Sequence, residues 1–434
     1  MTGRVKAVLL AAIVIVAALV LHHSERKQKQ LSLAAYGKRM LGVQEKKAGW
    51  KFYMDFLRFL AVILVIVAHS MGLAGTVLAS AEHNLLLDGS TSGNVEMLLL
   101  QGMQYFITCL GALALVCNLL FIMLSGALLL PFKEEKPGEF YVRRFSRVVI
   151  PLAAYYVVYL LWNKTLSFNL LSIGNGVKLI LSGPNDFVPH FWLVYLLLGL
   201  YLAVPFQRWM LRELPDSILQ GMAAVVLAGF VLQVVYYLIG CSFSYRSILF
   251  SWEGIFFWGY FLTLPCSRKY ERWLLIGGGF SAVIISYLFC MREDAAAIAV
   301  NDSLLMLLFA SAIVIWCKNR EEKMKNRASR VLSIIVQAGN KYSFSILLIH
   351  WFVLFFVVER KFNITFKIMQ LYGIFGIGGI VIGVLVQLLA TLLISFLFAL
   401  LYDQTVVFVL QKIWDKLVIL VSGCISRKMG ARKE

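Results

Sequence analysis

The sequence predicts an all-α, polytopic integral membrane protein. Of its 434 residues, 60% are hydrophobic and only 15% are charged, and the mean hydropathy is +0.80. A water-soluble globule with this composition has too few polar groups to cover its apolar surface. The chain also contains about eleven apolar runs close to the ~20 residues that an α-helix needs to cross a bilayer.

The apolar runs are the predicted transmembrane helices, taken in chain order. The first run is separated from the others by a basic linker, and we expect it to be one extra N-terminal helix on a ten-helix core. A signal peptide is the alternative, but no small-residue cleavage site follows this run. The predicted spans are 6–22, 52–74, 105–131, 147–163, 190–207, 218–240, 247–265, 273–290, 298–317, 342–359 and 371–402.

The basic residues sort to one side of this arrangement. Six alternate loops hold 31 of the 41 lysines and arginines, a bias that places those loops and the carboxyl terminus in the cytoplasm. We therefore expect a multi-pass protein of a cell membrane, preferably a bacterial inner membrane. The net charge of +18 follows from this topology and does not indicate nucleic-acid binding. The six loops are 24–51, 132–147, 208–217, 266–272, 318–341 and 403–434.

Three regions follow from this division. Residues 1–50 form the N-terminal hydrophobic helix and its basic linker, and residues 51–402 form the transmembrane core. Residues 403–434 form a basic amphipathic tail, which we expect to lie on the cytoplasmic leaflet. The seven cysteines contain no Cys-x-x-Cys pair, so neither a disulfide framework nor a structural metal is expected.

The segment RFLAVILVIVAH places an arginine and a histidine at the two ends of an apolar run. Arg58 and His69 are about three helical turns apart, so they share one helix face at a distance of about 16 Å. Asp55 is spaced to pair with Arg58 on that face. Ionisable side chains inside a membrane are costly and indicate function. The alternative is that Arg58 extends to the lipid headgroups and His69 only bonds a neighbouring helix.

A second basic group leads into the next span. In YVRRFSRVVIP, Arg144 and Arg147 lie three residues apart on an incipient helix, with Arg143 beside them. Guanidinium groups bind phosphates through paired hydrogen bonds, which suits an anionic ligand entering from the cytoplasm. Basic residues at a cytoplasmic boundary also serve as simple topology anchors, and that alternative stays open.

Later spans carry further polar residues. His190 and Trp192 open a span from the outer side, where an interfacial aromatic belt is the alternative explanation for the tryptophan. Glu253 falls inside a predicted span, where a carboxylate is expected either to pair with another side chain or to take part in catalysis. His350 is predicted to lie at mid-membrane. It is either a core histidine whose ring nitrogens are hydrogen-bonded to neighbouring helices or a functional residue. Histidines toward the outer side and arginines at the cytoplasmic entrance suit a long anionic ligand whose reactive tip meets a histidine base.

The motifs resemble those of integral-membrane acyltransferase family 3, which includes lipopolysaccharide O-antigen acetylases and the enterobacterial common antigen O-acetyltransferase. YMDFLRFLAVILVIVAH resembles its Asp-x-x-Arg and Arg-x10-His signature. Five further elements occur in the family's order, and the resemblance covers about residues 50 to 402. They are FIMLSGALLL, YVRRFSRVVIP, HFWLVYLLLGLYLAVP, FFWGYFL and KYSFSILLIH.

The resemblance implies that acyl-CoA binds from the cytoplasm and that its acyl group, acetyl by default, passes to a hydroxyl of an extracytoplasmic glycan or lipid-linked sugar. We predict a catalytic group of His69, Arg58, Glu253 and His350. We predict donor binding by Arg143, Arg144, Arg147 and Ser125, and acceptor contacts by His190 and Trp192. Acetyl-CoA is the expected donor substrate, no metal is expected, and the bilayer is the remaining partner, with a homo-oligomer left open.

Two departures from the commoner pattern leave the acceptor open. The chain adds the N-terminal hydrophobic segment, and it lacks the esterase-like domain that some members carry at the carboxyl end. The rival hypothesis is an exporter of polysaccharide or lipid-linked glycan, and an inactive scaffold is a third. Against an exporter, the sequence shows no internal repeat and no matching pair of spans broken by glycine or proline.

Overall fold

The computed structural model describes residues 3–43, 50–88, 93–163, 170–240, 252–291, 299 and 302–430. All regular structure in this part of the chain is helical, which confirms the all-α class. The α-helices are α1 (Gly3–Gln28), α2 (Leu33–Met40), α3 (Phe52–Asp88), α4 (Gly93–Ala114), α5 (Cys117–Leu129), α6 (Pro137–Arg144), α7 (Ile150–Trp162), α8 (Leu170–Ser182), α9 (Trp192–Leu211), α10 (Asp216–Leu238), α11 (Trp252–Phe261), α12 (Glu271–Met291), α13 (Leu304–Asn319), α14 (Glu321–Arg327), α15 (Arg330–Phe352), α16 (Ile364–Phe375), α17 (Ile377–Tyr402) and α18 (Phe408–Gly430).

Nine helical stretches of the described residues are long and apolar enough to cross a membrane, and α13 and α16 are shorter apolar helices. These stretches confirm a polytopic membrane protein. Residues 247–251 of the predicted span 247–265 lie outside the described residues, and the described part holds the ten residues of α11. Ten helical residues rise about 15 Å. Pro265 follows four residues after α11 and begins a 3-10 segment instead of prolonging the helix.

Two predicted spans are also interrupted. The span 105–131 breaks between α4 and α5, where Leu115 and Val116 form a turn. The span 371–402 breaks at Gly376, whose φ of 56° lies in the left-handed region that favours glycine. In contrast, α17 continues through a π-helical segment, Asp403–Val407, into α18. The predicted tail therefore begins inside a continuous helix, since no glycine or proline interrupts the chain there.

The 37-residue helix α3 occupies the centre of the bundle and packs against α4, α5, α15 and α17. Its first turn is fixed from another element. The Glu321 carboxylate accepts hydrogen bonds from the backbone N–H groups of Phe52 and Tyr53, at 2.8 and 2.7 Å. An acceptor at this position satisfies donors that the helix itself leaves unpaired. The start of α3, and with it the depth of its polar residues, is thereby set.

The close crossing of α5 and α11 depends on two glycines. A Cβ at Gly126 would lie 1.8 Å from the Phe256 carbonyl oxygen, and a Cβ at Gly259 would lie 2.0 Å from that of Met123. No larger residue fits at either position without moving a backbone. The crossing holds Ser125 in place beside α9, where it contributes to the site described below.

Candidate active site

Three histidine rings meet at one level of the bundle. The ring centroids of His69 on α3 and His350 on α15 lie 5.3 Å apart in a stacked arrangement, and those of His190 and His350 lie 5.1 Å apart. Trp351 contacts two of these rings, edge-on to His69 and stacked on His190. His350 is fully buried and His190 nearly so, whereas His69 is partly exposed.

The hydrogen bonds of the two buried histidines fix their tautomers. His350 Nδ1 lies 2.8 Å from the Leu347 carbonyl oxygen, and His190 Nε2 lies 3.2 Å from that of Leu348. A carbonyl oxygen only accepts, so each of these nitrogens carries the proton in the neutral ring. His350 Nε2 and His190 Nδ1 then hold lone pairs, and neither has a partner in the part of the chain that the structure describes.

Tyr159 on α7 contacts both the part of α15 that carries His350 and the ring of His190. Its hydroxyl donates to the Leu348 carbonyl oxygen at 2.9 Å, accepts from the Phe352 N–H at 3.2 Å, and lies 3.3 Å from His190 Nε2. Unpartnered acceptors of buried rings cost free energy unless a donor fills them. The histidine level is therefore arranged to receive a hydrogen-bond donor such as a hydroxyl group.

A second polar level lies closer to the start of α3. Arg58 donates from Nη1 to Asn340 Oδ1 at 2.8 Å, and Asn340 Nδ2 donates to Asp55 Oδ1 at 2.8 Å. Trp50 Nε1 donates to the second Asp55 oxygen at 2.7 Å. The predicted contact between Asp55 and Arg58 is therefore made through an interposed amide. Asn340 was not predicted from the sequence. It lies ten residues before His350, much as Arg58 lies eleven residues before His69.

Donor-binding candidates gather beside this second level. The Arg144 guanidinium lies 5.7 Å from the centre of the Tyr201 ring, and the Tyr201 hydroxyl lies 3.4 Å from Ser125 Oγ. Arg58 interacts electrostatically with Tyr201, and Arg144 with Arg147. Four residues that were predicted from three separate motifs therefore lie close together. They are Arg58, Ser125, Arg144 and Arg147.

The surrounding charge is strongly positive. Burial and the nearby cations Arg208, Arg144 and Arg143 lower the pKa of Lys133, because each disfavours its protonated form. Arg143 itself is paired with Glu135, which also accepts from Arg208 at 3.3 Å. Such a concentration of cations is favourable for a bound polyanion.

Two helices carry a polar residue at both levels: Arg58 and His69 lie on α3, and Asn340 and His350 lie on α15. Ten or eleven residues separate the members of each pair, or about 15–16 Å along a helix. His190, in the 3-10 segment Pro189–Phe191, and Tyr201, near the middle of α9, are likewise eleven residues apart. The helices α3 and α15 therefore set the distance between the two levels.

A polar cavity of about 830 Å³ opens beside the second level. Arg58 and Arg147 both line it, together with Asp55, Asn340 and Asp403. The volume lies within the range of ~300–1,000 Å³ typical of small-molecule sites. This cavity is large enough for a nucleotide-sized ligand.

Two predicted residues contact groups other than the histidines. Glu253 lines a different, mainly apolar cavity of about 450 Å³ with Gln207 and Ser217. The Trp192 ring contacts that of Trp252 at 5.3 Å. The roles assigned to these side chains remain predictions. The rings of His69 and His350 stack, and the ring of His190 meets that of His350 edge-on. No group of three or more metal-ligating side chains is found among the described residues.

A comparison with known protein families identifies the family of this chain. The family described as "Acyltransferase domain" matches residues 51–404, most of the sequence and both polar levels. The chain belongs to the membrane acyltransferase family 3. Searches of curated proteins and of solved structures found no match. Membership makes the protein a multi-pass membrane acyltransferase, and α1 and α2 lie outside the matched residues.

Proposed function

We propose that this acyltransferase moves an acetyl group from acetyl-CoA, bound from the cytoplasm, to a hydroxyl of an extracytoplasmic glycan or lipid-linked sugar. The observation that carries the proposal is a pair of imidazole nitrogens beside His69, His350 Nε2 and His190 Nδ1, which have no hydrogen-bond partner among the described residues. They offer basic acceptors at one depth, about 16 Å from a layer of arginines. Pantetheine is long enough to join these two levels.

In this mechanism His69 acts as the general base. It takes the proton of the acceptor hydroxyl while the oxygen attacks the thioester carbonyl carbon, and the carbon–sulfur bond breaks as the new ester forms. The proton then passes to the departing thiolate, which leaves as free CoA. His350 Nε2 and His190 Nδ1 accept hydrogen bonds from other hydroxyl groups of the acceptor and so orient it, which leaves the proton of the attacking hydroxyl to His69. The neutral tautomers argued above are the state that this step requires.

The arginines serve the other end of the donor. Arg144 and Arg147 bind the CoA phosphates, and Ser125 and Tyr201 line the way between the phosphates and the histidines. Arg58 is held by a neutral amide and keeps its charge available to an anion. Charge-assisted hydrogen bonds of this kind are the strong ones in phosphate recognition.

Thermal stabilisation of the purified protein tests the donor. Acetyl-CoA and CoA should raise the Tm of the wild type, whereas an unrelated nucleotide should not. The double variant Arg144→Ala/Arg147→Ala should lose this shift. A matched control, Arg268→Ala/Arg272→Ala, removes the same charge from two exposed positions and should keep it. If CoA compounds do not stabilise the wild type, the CoA donor is rejected and the glycan exporter becomes the better hypothesis.

We also propose that the carboxyl terminus faces the cytoplasm of a bacterial cell. The distribution of lysine and arginine supports this orientation. A phosphatase reporter, active only outside the cytoplasm, should be inactive when fused after residue 434. An active fusion would reverse the proposed direction of transfer.

A further inference from the structure

We infer that α1 and α2 form one wall of the donor site and that this wall binds the phosphorylated end of the donor. The inference rests on the proposed function, which supplies CoA as the ligand. Both helices lie outside the residues matched to the family, 51–404. Even so, they line the 830 Å³ cavity that contains Arg58 and Arg147, through His22, Glu25, Tyr36, Arg39 and Met40. Gly42, two residues after α2, lines it as well.

Specific hydrogen bonds attach α1 to the carboxyl-terminal helix. His22 Nε2 donates to the Gln404 carbonyl oxygen at 2.7 Å, and the His22 ring stacks on Phe408 with centroids 4.0 Å apart. The second ring nitrogen lies 2.8 Å from the Tyr36 hydroxyl, which joins α1 to α2. Glu25 adds an ion pair with Lys412 at 3.2 Å.

The end of α2 is attached to α15 next to the arginine level. Lys341 Nζ and the Tyr342 hydroxyl both donate to the Met40 carbonyl oxygen, each at 2.5 Å. The preceding residue of α15 is Asn340, which holds Arg58. One turn of α15 therefore contacts both Arg58 and the end of α2.

Gly42 is required for this attachment. Its φ of 81° is left-handed, and an added Cβ would lie 2.8 Å from Lys341 Cβ. Gly37, within α2, has open space where a Cβ would point. The two glycines therefore provide a matched pair of positions, one at the contact with α15 and one away from it.

The charged groups that line the cavity leave an excess of positive charge. Four cations line it, Arg39, Arg58, Arg147 and Lys341, against three carboxylates, Glu25, Asp55 and Asp403. Glu25 pairs with Arg39 at 3.6 Å, but it also pairs with two cations outside the lining, Lys29 and Lys412. Among the described residues, Asp55 and Asp403 accept hydrogen bonds from neutral groups only. The phosphate groups of a nucleotide are the ligand chemistry that suits the cations in excess.

The test compares donors with and without phosphates in wild-type and variant full-length protein. Gly42→Ala should weaken binding of CoA about ten-fold in a thermal-shift titration, whereas Gly37→Ala should leave it unchanged. Arg39→Ala should weaken CoA binding by a similar factor, against an unchanged Lys38→Ala control. Binding of S-acetylpantetheine, which lacks the nucleotide, should be the same in all four variants.

The outcomes separate this inference from the proposed function. If the wild type binds CoA and Arg144→Ala/Arg147→Ala does not, but Gly42→Ala and Arg39→Ala bind as wild type, the wall has no part in donor binding and the inference is wrong. If the wild type does not bind CoA, the proposed function itself fails. Adenosine 3′,5′-bisphosphate alone should also stabilise the wild type. Stabilisation by phosphatidylglycerol vesicles and not by the bisphosphate would assign the cations to lipid headgroups and overturn the inference.

Discussion

His69 and His350 stack at 5.3 Å between ring centroids, on two helices that are also joined one level below through Arg58 and Asn340. The lower contact fixes the register of α3 against α15. Because both helices rise about 1.5 Å per residue, the same register brings the two rings face to face ten or eleven residues later. A single hydrogen bond near the start of α3 thereby helps to align the histidines.

Removing either stacked histidine should abolish transfer without unfolding the protein. General base catalysis contributes roughly 10²–10⁴-fold, so His69→Ala should lower kcat by about that factor. His350→Ala should lower it as well, because the unpartnered Nε2 is lost. His83→Ala, on the exposed face of α3, is the matched control and should be active. The measurement is the initial rate with acetyl-CoA alongside the Tm, and wild-type rates in His69→Ala would reject this assignment.

Asn340→Leu should disrupt the contact between the two helices. The substitution leaves Arg58 and Asp55 without the amide that joins them, and a buried polar group without its partner costs about 1–3 kcal/mol. We expect a lower Tm and a lower kcat, since the register of the histidines depends on this contact. Thermal unfolding and steady-state kinetics test both effects. Unchanged kcat in a destabilised variant would show that the amide has no influence on the histidines.

Gly126→Ala should destabilise the crossing of α5 and α11. The new methyl group would meet the Phe256 carbonyl oxygen at 1.8 Å, so one backbone must move. Gly102→Ala, on α4 with open space around its Cβ position, should unfold like the wild type. Equal Tm values for the two variants would contradict the close crossing.

Arg144→Ala should raise the KM for acetyl-CoA more than Arg143→Ala does. The Arg144 side chain faces Tyr201 beside the second level, whereas Arg143 is neutralised by Glu135 and points to an exposed surface. Loss of a charge-assisted hydrogen bond of about 1.5–3 kcal/mol corresponds to a KM increase of roughly ten-fold or more. Steady-state kinetics over a range of acetyl-CoA concentrations compares the two variants. A larger effect of Arg143→Ala would indicate that the ion pair with Glu135 opens when the donor binds.

The helical class and the interval between the two polar levels could be predicted because both follow from short-range patterns. Hydrophobic length gives the spans, and the interval between Arg58 and His69 is fixed by the rise of one helix. The predicted span 247–265 stays a prediction, because the structure describes only residues 252–265 of it. The ten-residue α11 is apolar since it packs on α5.

Contacts between distant helices could not be predicted from one sequence. Asn340 lies 282 residues from Arg58, and nothing local marks it as the arginine's partner. In the sequence, Tyr159 is one of several aromatic residues in an apolar span. The contact of its hydroxyl with His190 depends on the packing of α7 in the fold. The wall formed by α1 and α2 could not be predicted either, because the sequence of a hydrophobic helix does not indicate which residues its last turns contact.

The most direct test of the central claim is transfer of labelled acetyl groups in membranes. Inverted vesicles from cells expressing the protein would receive acetyl-CoA labelled in the acetyl group, with His69→Ala and His83→Ala vesicles in parallel. The account predicts alkali-labile label, as expected of an O-ester, in the glycan or lipid fraction of wild-type and His83→Ala vesicles, and almost none with His69→Ala. Equal labelling by wild type and His69→Ala, or label that resists alkali, would contradict it.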